Sequence, residues 1–124
     1  MSRPWIAAAA LALLAACDRP AAPDTAWRTV DGGRVDRGRA LMTHYQCGSC
    51  HAVPDVPAAA TATAPTLHAF GRRSYIAGQL PNGPDTLQRW LLDPPNAVPG
   101  ATMPQLGLSP QDARDVAAYL LSLE

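Results

Sequence analysis

The residues of this chain best suited to chemistry lie in one short stretch, YQCGSCHAV, which covers residues 45–53. Cys47 and Cys50 are three positions apart, and His51 directly follows the second cysteine. Two thiols and an imidazole at this spacing can attach a haem, supply half of a zinc site or form a redox dithiol. A third cysteine, Cys17, lies thirty residues before Cys47 and needs an explanation of its own.

The three chemistries make different demands on the rest of the chain. A structural zinc site needs four ligands, and His44 and His68 could complete one with Cys47 and Cys50, but their spacing is not that of a zinc finger. A redox dithiol normally follows a strand and opens a helix in a βαβ unit, which the surrounding pattern does not predict. Haem attachment uses all three residues, because each thiol forms a thioether and His51 becomes an axial ligand. C-x-x-C-H is the c-type attachment signature.

An electron-carrying haem also needs a second axial ligand, and Met103 is the best candidate. It lies in the loop PGATMPQLG, between proline and threonine, where an apolar residue would otherwise be unusual. Met1 belongs to the predicted signal peptide described below, which is removed. Met42 is only five residues before Cys47, on the proximal side. His68 is the rival ligand, although it lies close in sequence to the attachment loop. A gap-filling core methionine is the alternative interpretation of Met103.

The N-terminus has the pattern of an export signal. Arg3 precedes the apolar run WIAAAALALLAA, which is too short to span a membrane that requires about 20 apolar residues. The tetrapeptide LAAC, ending at Cys17, resembles the lipobox of bacterial lipoproteins, which implies a signal peptide over 1–16 and acyl chains on Cys17. Asp18 resembles the signal that retains lipoproteins in the inner membrane. An ordinary signal peptide with an incidental cysteine is the alternative.

The remainder divides into a tether and one all-α domain. Residues 17–34 contain proline and alanine steps and, close to their end, the pair Gly32-Gly33, which predicts a flexible tether holding the domain near the membrane. Apolar periodicity predicts a helix from about Val35 to the CGSCH stretch, a second over about 84–92 and a third that starts at Ser109 and Pro110. The segments between them, including TLHAFGRRSYIAG, predict long loops with no strand.

Composition restricts the possible functions. The chain has 124 residues, which is enough for one small domain with appendages. Ten arginines, no lysine and ten acidic residues give a net charge of zero, which argues against binding nucleic acid. Only seven aromatic residues are available for the core, so a domain of this size needs help from a bound cofactor.

From about Val35 to Glu124 the chain resembles a class I cytochrome c, a family with three to four short helices and long loops around one covalent haem c. The domains fused to subunit II of some haem-copper oxidases are especially similar. The lysine ring through which mitochondrial cytochrome c docks is absent, and Met42 or Thr43 stands where the first helix usually carries an aromatic. The resemblance rests on CGSCH, APTLHAFGRR, DTLQRWLLDPPNAVPGATMP and DARDVAAYL, in that order.

The resemblance also implies roles for single residues. The carbonyl of Pro65 would accept a hydrogen bond from the ring of His51, and Leu67 would line the haem pocket. Arg72 would lie near a haem propionate, and Trp90 would lie close to the distal methionine.

The leading hypothesis is one-electron transfer at the periplasmic face of a bacterial inner membrane, with no small-molecule substrate and therefore no catalytic residues. The expected partners are a donor of the quinol-cytochrome c reductase type and a terminal oxidase or reductase as acceptor. The alternatives are a peroxidase-like enzyme or sensor with a displaceable sixth ligand, a fixed subunit of an oxidase complex, and a thiol or zinc lipoprotein without haem.

Overall fold

The computed structural model describes residues 26–124. The predicted signal peptide over 1–16, the predicted lipidation site Cys17 and the tether as far as residue 25 lie outside the described residues. Among residues 26–124, no helix combines the length and the apolar character needed to cross a membrane.

Four α-helices form the scaffold: α1 is Val35–His44, α2 is Pro84–Leu92, α3 is Pro94–Ala97 and α4 is Pro110–Ser122. The three predicted helices are α1, α2 and α4, and the all-α class is confirmed. The one-turn helix α3 was not predicted, because its two prolines indicate only the end of α2. Both prolines occupy its first turn, where a missing N–H costs nothing.

Side-chain caps start the last two helices where the sequence has the matching residues. Ser109 Oγ accepts a hydrogen bond from the Asp112 backbone N–H at 3.1 Å, and Pro110 follows at the first helical position, as predicted for α4. Asp93 Oδ1 accepts from the Asn96 N–H at 3.4 Å and starts α3. The bend between α2 and α3 leads into the loop that carries Met103.

The segment between the attachment loop and α2 is more regular than the sequence indicates. A 3-10 turn covers Phe70–Arg72, and two strands, β1 (Tyr75–Ile76) and β2 (Leu80–Pro81), pair antiparallel with Ile76 opposite Leu80. The prediction of irregular coil without strands was therefore wrong here. Strands of two residues are too short to show the alternation by which a strand is recognised in sequence.

Helices α1 and α4 cross in close contact at Gly38. A Cβ atom at Gly38 would lie 2.0 Å from the Asp115 carbonyl oxygen and 2.9 Å from Tyr119 Cβ. The crossing therefore depends on the absence of a side chain on α1, and the aromatic that usually lies on the first helix is not needed for it. This contact fixes the direction in which α1 delivers the cysteines.

Helix α4 is the centre of the core. The apolar stripe predicted for it is buried at Ala113, Val116, Ala117 and Leu120. The one buried charged residue recorded for residues 26–124 is Asp115, which accepts hydrogen bonds from the Arg34 backbone N–H, the Arg37 guanidinium and the Gln111 amide.

Residues 26–34 are packed against α4, where the sequence predicted part of a flexible tether. Arg28 forms an ion pair with Glu124 at 2.7 Å, and Val30 is buried. A Cβ at Gly33 would lie 2.8 Å from Ala118 Cβ. The Gly-Gly pair, taken as a sign of a linker, instead allows this close approach, so the packed domain begins before residue 35.

Candidate functional site

A large cavity of about 850 Å³ lies between α1, α2, α4 and the loops that connect them. All four predicted attachment and ligand residues line it: Cys47, Cys50, His51 and Met103. The other walls are mainly apolar, including Phe70, Ile76, Leu87, Leu91 and Leu120. A cavity of this size and polarity suits a large, mostly apolar cofactor with a few polar contacts.

The attachment loop is shaped by the end of α1. Helix α1 ends at His44, and Gln46 takes a left-handed conformation with φ of 55°, which reverses the chain. A 3-10 turn over Cys47–Ser49 follows, and the His51 N–H donates to the Cys47 carbonyl at 3.0 Å. The turn therefore folds the histidine back beside the first cysteine.

Gly48 allows this turn to pack against the following loop. A Cβ at Gly48 would lie 1.9 Å from the Pro57 carbonyl oxygen, and the Ala59 N–H donates to the Gly48 carbonyl at 2.8 Å. The middle of the C-x-x-C-H motif is thus held by main-chain contacts, and any side chain at Gly48 would displace it.

The imidazole of His51 has a fixed tautomer. Its Nδ1 lies 2.7 Å from the Pro65 carbonyl oxygen, the contact implied by the family resemblance. A carbonyl can only accept, so Nδ1 carries the hydrogen and donates it. In the neutral imidazole, Nε2 is then the nitrogen without a hydrogen, which is the one able to ligate a metal.

Met103 reaches the cavity from the loop between α3 and α4. The loop is tied at its start by the Ala101 N–H, which donates to the Val98 carbonyl at 3.0 Å. Just after the methionine, the Gln105 side-chain amide donates to the Leu92 carbonyl at the end of α2 at 3.2 Å. Met103 is half-buried and packs at the edge of the core, so its thioether is presented to the cavity by an anchored loop.

Of the other predicted pocket residues, three line the cavity and one does not. Pro65, Leu67 and Trp90 all line the cavity, but Arg72 is exposed and is not among the lining residues. The neighbouring Arg73 is, and its guanidinium donates to the carbonyls of Thr66 and His68.

The geometry therefore favours Arg73 over Arg72 for the position beside a propionate. The sequence presents two adjacent arginines, and only the turn over Phe70–Arg72 decides which of them faces inward. The propionate contact itself stays a prediction. The imidazole of His68, the rival axial ligand, is not among the groups that line the cavity, and His68 is exposed.

The two alternative chemistries of the cysteine pair find little support. Within residues 26–124, no group of three or more His, Cys, Asp or Glu side chains is arranged to hold a metal ion, as a zinc site would require. Burial raises the pKa of the Cys47 thiol to about 11, whereas a redox dithiol depends on a readily formed thiolate.

The fold and the cavity together define a small all-α domain built around a covalently attached haem. Comparison with known proteins agrees. The profile of the family described as cytochrome c matches residues 35–124, and the chain belongs to that family. Its cofactor is accordingly haem c, for which the pair Cys47 and Cys50 is present.

The relatives found among characterised proteins are oxidase subunits. Over 91 residues, 73% of this chain, it is 36% identical to cytochrome c oxidase subunit 2 of Alkalihalophilus pseudofirmus, of which this covers 26%. It is also 36% identical over 77 residues, 60% of this chain and 22% of the relative, to cytochrome c oxidase subunit 2 of Bacillus subtilis. The subunit of the same name from Bacillus sp. strain PS3 is 38% identical over 91 residues, 70% of this chain and 25% of the relative. The chain thus spans about a quarter of the length of these relatives.

These findings support electron transfer by haem as the function of the domain. When bound, haem iron alternates between the ferric and ferrous states and so carries one electron.

Proposed function

We propose that this chain is a membrane-tethered monohaem cytochrome c that carries single electrons in a bacterial respiratory chain. Its donor would be a quinol-oxidising complex and its acceptor a terminal haem-copper oxidase or another terminal reductase. One observation carries the proposal: Cys47, Cys50, His51 and Met103, which come from two distant parts of the chain, line one cavity.

Cys47 and Cys50 hold the cofactor in this proposal. Each thiol would hold the haem through a thioether, the sulfur bonding to one carbon of a vinyl group and the proton to the other, with nothing released. Cys47 is half-buried and Cys50 is exposed, and both line the cavity, so both thiols would be within the site that holds the haem. Attachment of this kind takes place after export, in agreement with the predicted signal peptide.

His51 and Met103 are the proposed axial ligands. The hydrogen bond to the Pro65 carbonyl orients the imidazole and makes Nδ1 its donor, which leaves Nε2 for the iron. A neutral thioether favours the ferrous state, so this ligand pair raises the reduction potential. The cavity walls are mainly apolar, and the proposed transfer of an electron requires no proton and no substrate.

Replacement of each methionine tests the ligand assignment. Met103→Leu should remove the weak red charge-transfer band of the sulfur–iron bond and give the reduced protein the ability to bind carbon monoxide. The matched control is Met42→Leu at a buried core position, which should keep the band and exclude carbon monoxide. An unchanged spectrum in Met103→Leu would refute the assignment of Met103, whereas a wild-type protein that lacks the band and binds carbon monoxide would favour the enzyme or sensor hypothesis.

The membrane tether is part of the proposal because the LAAC sequence, ending at Cys17, resembles a lipobox and follows an apolar run of export-signal type. Two or more acyl chains on Cys17 would hold the protein stably at the membrane. Cys17→Ala should move the haem-containing protein into the soluble fraction. Retention of this variant in the membrane fraction would contradict lipid anchoring.

The relatives favour a second candidate function, a fixed subunit of an oxidase complex, because all three are named as oxidase subunits. A fixed subunit should remain with oxidase haems through detergent extraction and size-exclusion chromatography. A mobile carrier should separate from them as a single small haem protein.

A further inference from the structure

The mouth of the haem cavity is bounded by three segments that carry no formal charge. We name residues 63–65, 75–79 and 99–104 the neutral rim. All of them line the cavity, and most of their side chains are exposed. They are mainly alanine, glycine, proline and threonine, so the rim offers small groups and exposed main chain to a partner.

The absence of charge extends well beyond the rim. Residues 56–71, 74–84 and 94–111 contain no aspartate, glutamate, lysine or arginine. Among residues 26–124, the one side chain lining the cavity that carries a permanent charge is Arg73. Its guanidinium is directed to the carbonyls of Thr66 and His68 and lies 5.5 Å from the centre of the Phe70 ring. It is therefore engaged within the domain.

Charged residues are present elsewhere in the described chain, so the rim is not neutral merely because charge is scarce. Residues 26–124 contain eight arginines and eight carboxylates, with a net charge of zero. Several form ion pairs away from the cavity, such as Arg37 with Asp112 and Asp115, and Arg28 with Glu124. Of these sixteen charged residues, Arg73 is the one that lines the cavity.

The rim also has a rigid frame and an aromatic anchor. Pro65, Pro99 and Pro104 limit the freedom of its backbone, which reduces the entropy lost on binding. Tyr75 in β1 is 58% exposed and is one of three exposed large hydrophobic residues recorded for residues 26–124. Tyrosine is enriched where protein surfaces dock, because it combines a large apolar area with a polar end.

We infer that the neutral rim is the docking surface for the electron-transfer partner, and that the partner's own patch around its redox centre is uncharged and apolar. This inference rests on the proposed function. A charged patch pressed against the rim would lose its water without gaining a partner charge. Binding to such a rim depends on shape and apolar contact, and electrostatic steering contributes little.

The salt dependence of electron transfer tests the inference. The haem-loaded full chain, reduced in detergent solution, is mixed with membrane vesicles from source cells that lack this gene, and reoxidation of the haem is followed. Between about 10 and 300 mM NaCl the second-order rate constant should change less than about twofold, because there is little interface charge to screen. A change of about tenfold or more would refute the neutral docking surface and would leave the proposed function standing. Vesicles that never reoxidise the chain refute the proposed function and the docking surface together.

Charge insertion provides the matched variants. Gln79→Lys places a charge in the rim, and Ala40→Lys places the same charge on the exposed face of α1, away from the cavity. Gln79→Lys should slow reoxidation by vesicles by about tenfold, whereas Ala40→Lys should stay within about twofold of wild type. Equal effects in the two variants, or none in Gln79→Lys, overturn the inference.

A small oxidant separates docking from damage to the haem. Ferricyanide, an anion that needs no docking surface, should oxidise Gln79→Lys at least as fast as wild type. Loss of rate with both oxidants would assign the effect to the haem and overturn the role of the rim. Tyr75→Ser should slow the vesicle reaction by about threefold to tenfold without adding salt dependence. An unchanged vesicle rate in Tyr75→Ser would refute the role of Tyr75 as an anchor. A second-order rate constant that falls as the concentration of the chain rises would indicate that the rim binds a second copy of the chain instead.

Discussion

The crossing of α1 and α4 at Gly38 makes Gly38→Ala the most informative test of the fold. The added Cβ would lie 2.0 Å from the carbonyl oxygen of Asp115, and 2.7 Å from its carbonyl carbon. A carbon and an oxygen in contact are normally about 3.3 Å apart, so the helices must separate locally by about 1.3 Å. The added Cβ is fixed to the backbone of α1 and the carbonyl belongs to the backbone of α4, so neither can turn away as a flexible side chain would.

The expected cost follows from this geometry. Overpacking of a core costs about 1–3 kcal/mol, and a backbone clash falls at or above the upper end of this range. The greater helix preference of alanine returns about 1 kcal/mol. The net loss is therefore about 2 kcal/mol, which lowers the melting temperature by about 8–16 °C in a domain of this size. Because α1 delivers Cys47, the variant should also incorporate less haem.

Thermal unfolding of the haem-loaded protein, followed by circular dichroism, measures this effect. The control is Gly83→Ala before α2, where a Cβ would meet nothing within 4 Å. There the poorer N-cap is offset by the reduced freedom of the unfolded chain, and the melting temperature should move by no more than a few degrees. A Gly38→Ala variant as stable as wild type, or a Gly83→Ala variant that is equally destabilised, would refute the close crossing.

Two further predictions concern the buried carboxylate of α4. Asp115→Ala leaves the Arg34 N–H and the Gln111 amide without their acceptor, and should lower the free energy of unfolding by about 2–3 kcal/mol, discounted because Arg37 is partly exposed. Denaturant titration measures this loss, and a change below about 0.5 kcal/mol would contradict it. Burial alone would raise the pKa of Asp115, but hydrogen bonds from Arg37, Arg34 and Gln111 outweigh burial and lower this pKa. The pKa of the neighbouring carboxylate, Asp112, is also lowered, and the hydrogen bond from the Tyr45 hydroxyl is the largest cause. Both carboxylates therefore stabilise the fold above their ordinary pKa near 4, and the stabilisation is lost as pH falls through their lowered values. As the pH is lowered from about 6 to 2, the melting temperature should fall less steeply for Asp115→Asn than for wild type. Parallel curves would contradict the contribution of the Asp115 carboxylate to stability.

Local signals in the sequence predict the helices well, and they also single out the motif that lines the cavity. Ser109, Pro110 and Asp112 specify the start of α4 through contacts within one turn, so the prediction needs no knowledge of the fold. The C-x-x-C-H motif is likewise local, and His51 and the two cysteines line the cavity as expected. Met103 could be proposed because the sequence offers few other thioethers.

Features that depend on contacts between distant segments could not be predicted in the same way. Gly33 was interpreted as part of a linker, although its lack of a side chain is what lets the chain lie against Ala118. The choice between Arg72 and Arg73 depends on a 3-10 turn after Ala69, which takes a left-handed conformation with φ of 51°. No residue pattern in the sequence distinguishes such a turn from ordinary coil.

Spectroelectrochemical titration of the haem-loaded chain tests the central claim most directly. A carrier with His51 and Met103 as ligands should show one reversible one-electron transition at a positive potential, and its reduced form should keep the sulfur–iron charge-transfer band under carbon monoxide. A reduced form that binds carbon monoxide, or reoxidation that cannot be reversed at the electrode, would contradict electron carriage and indicate an open iron site instead.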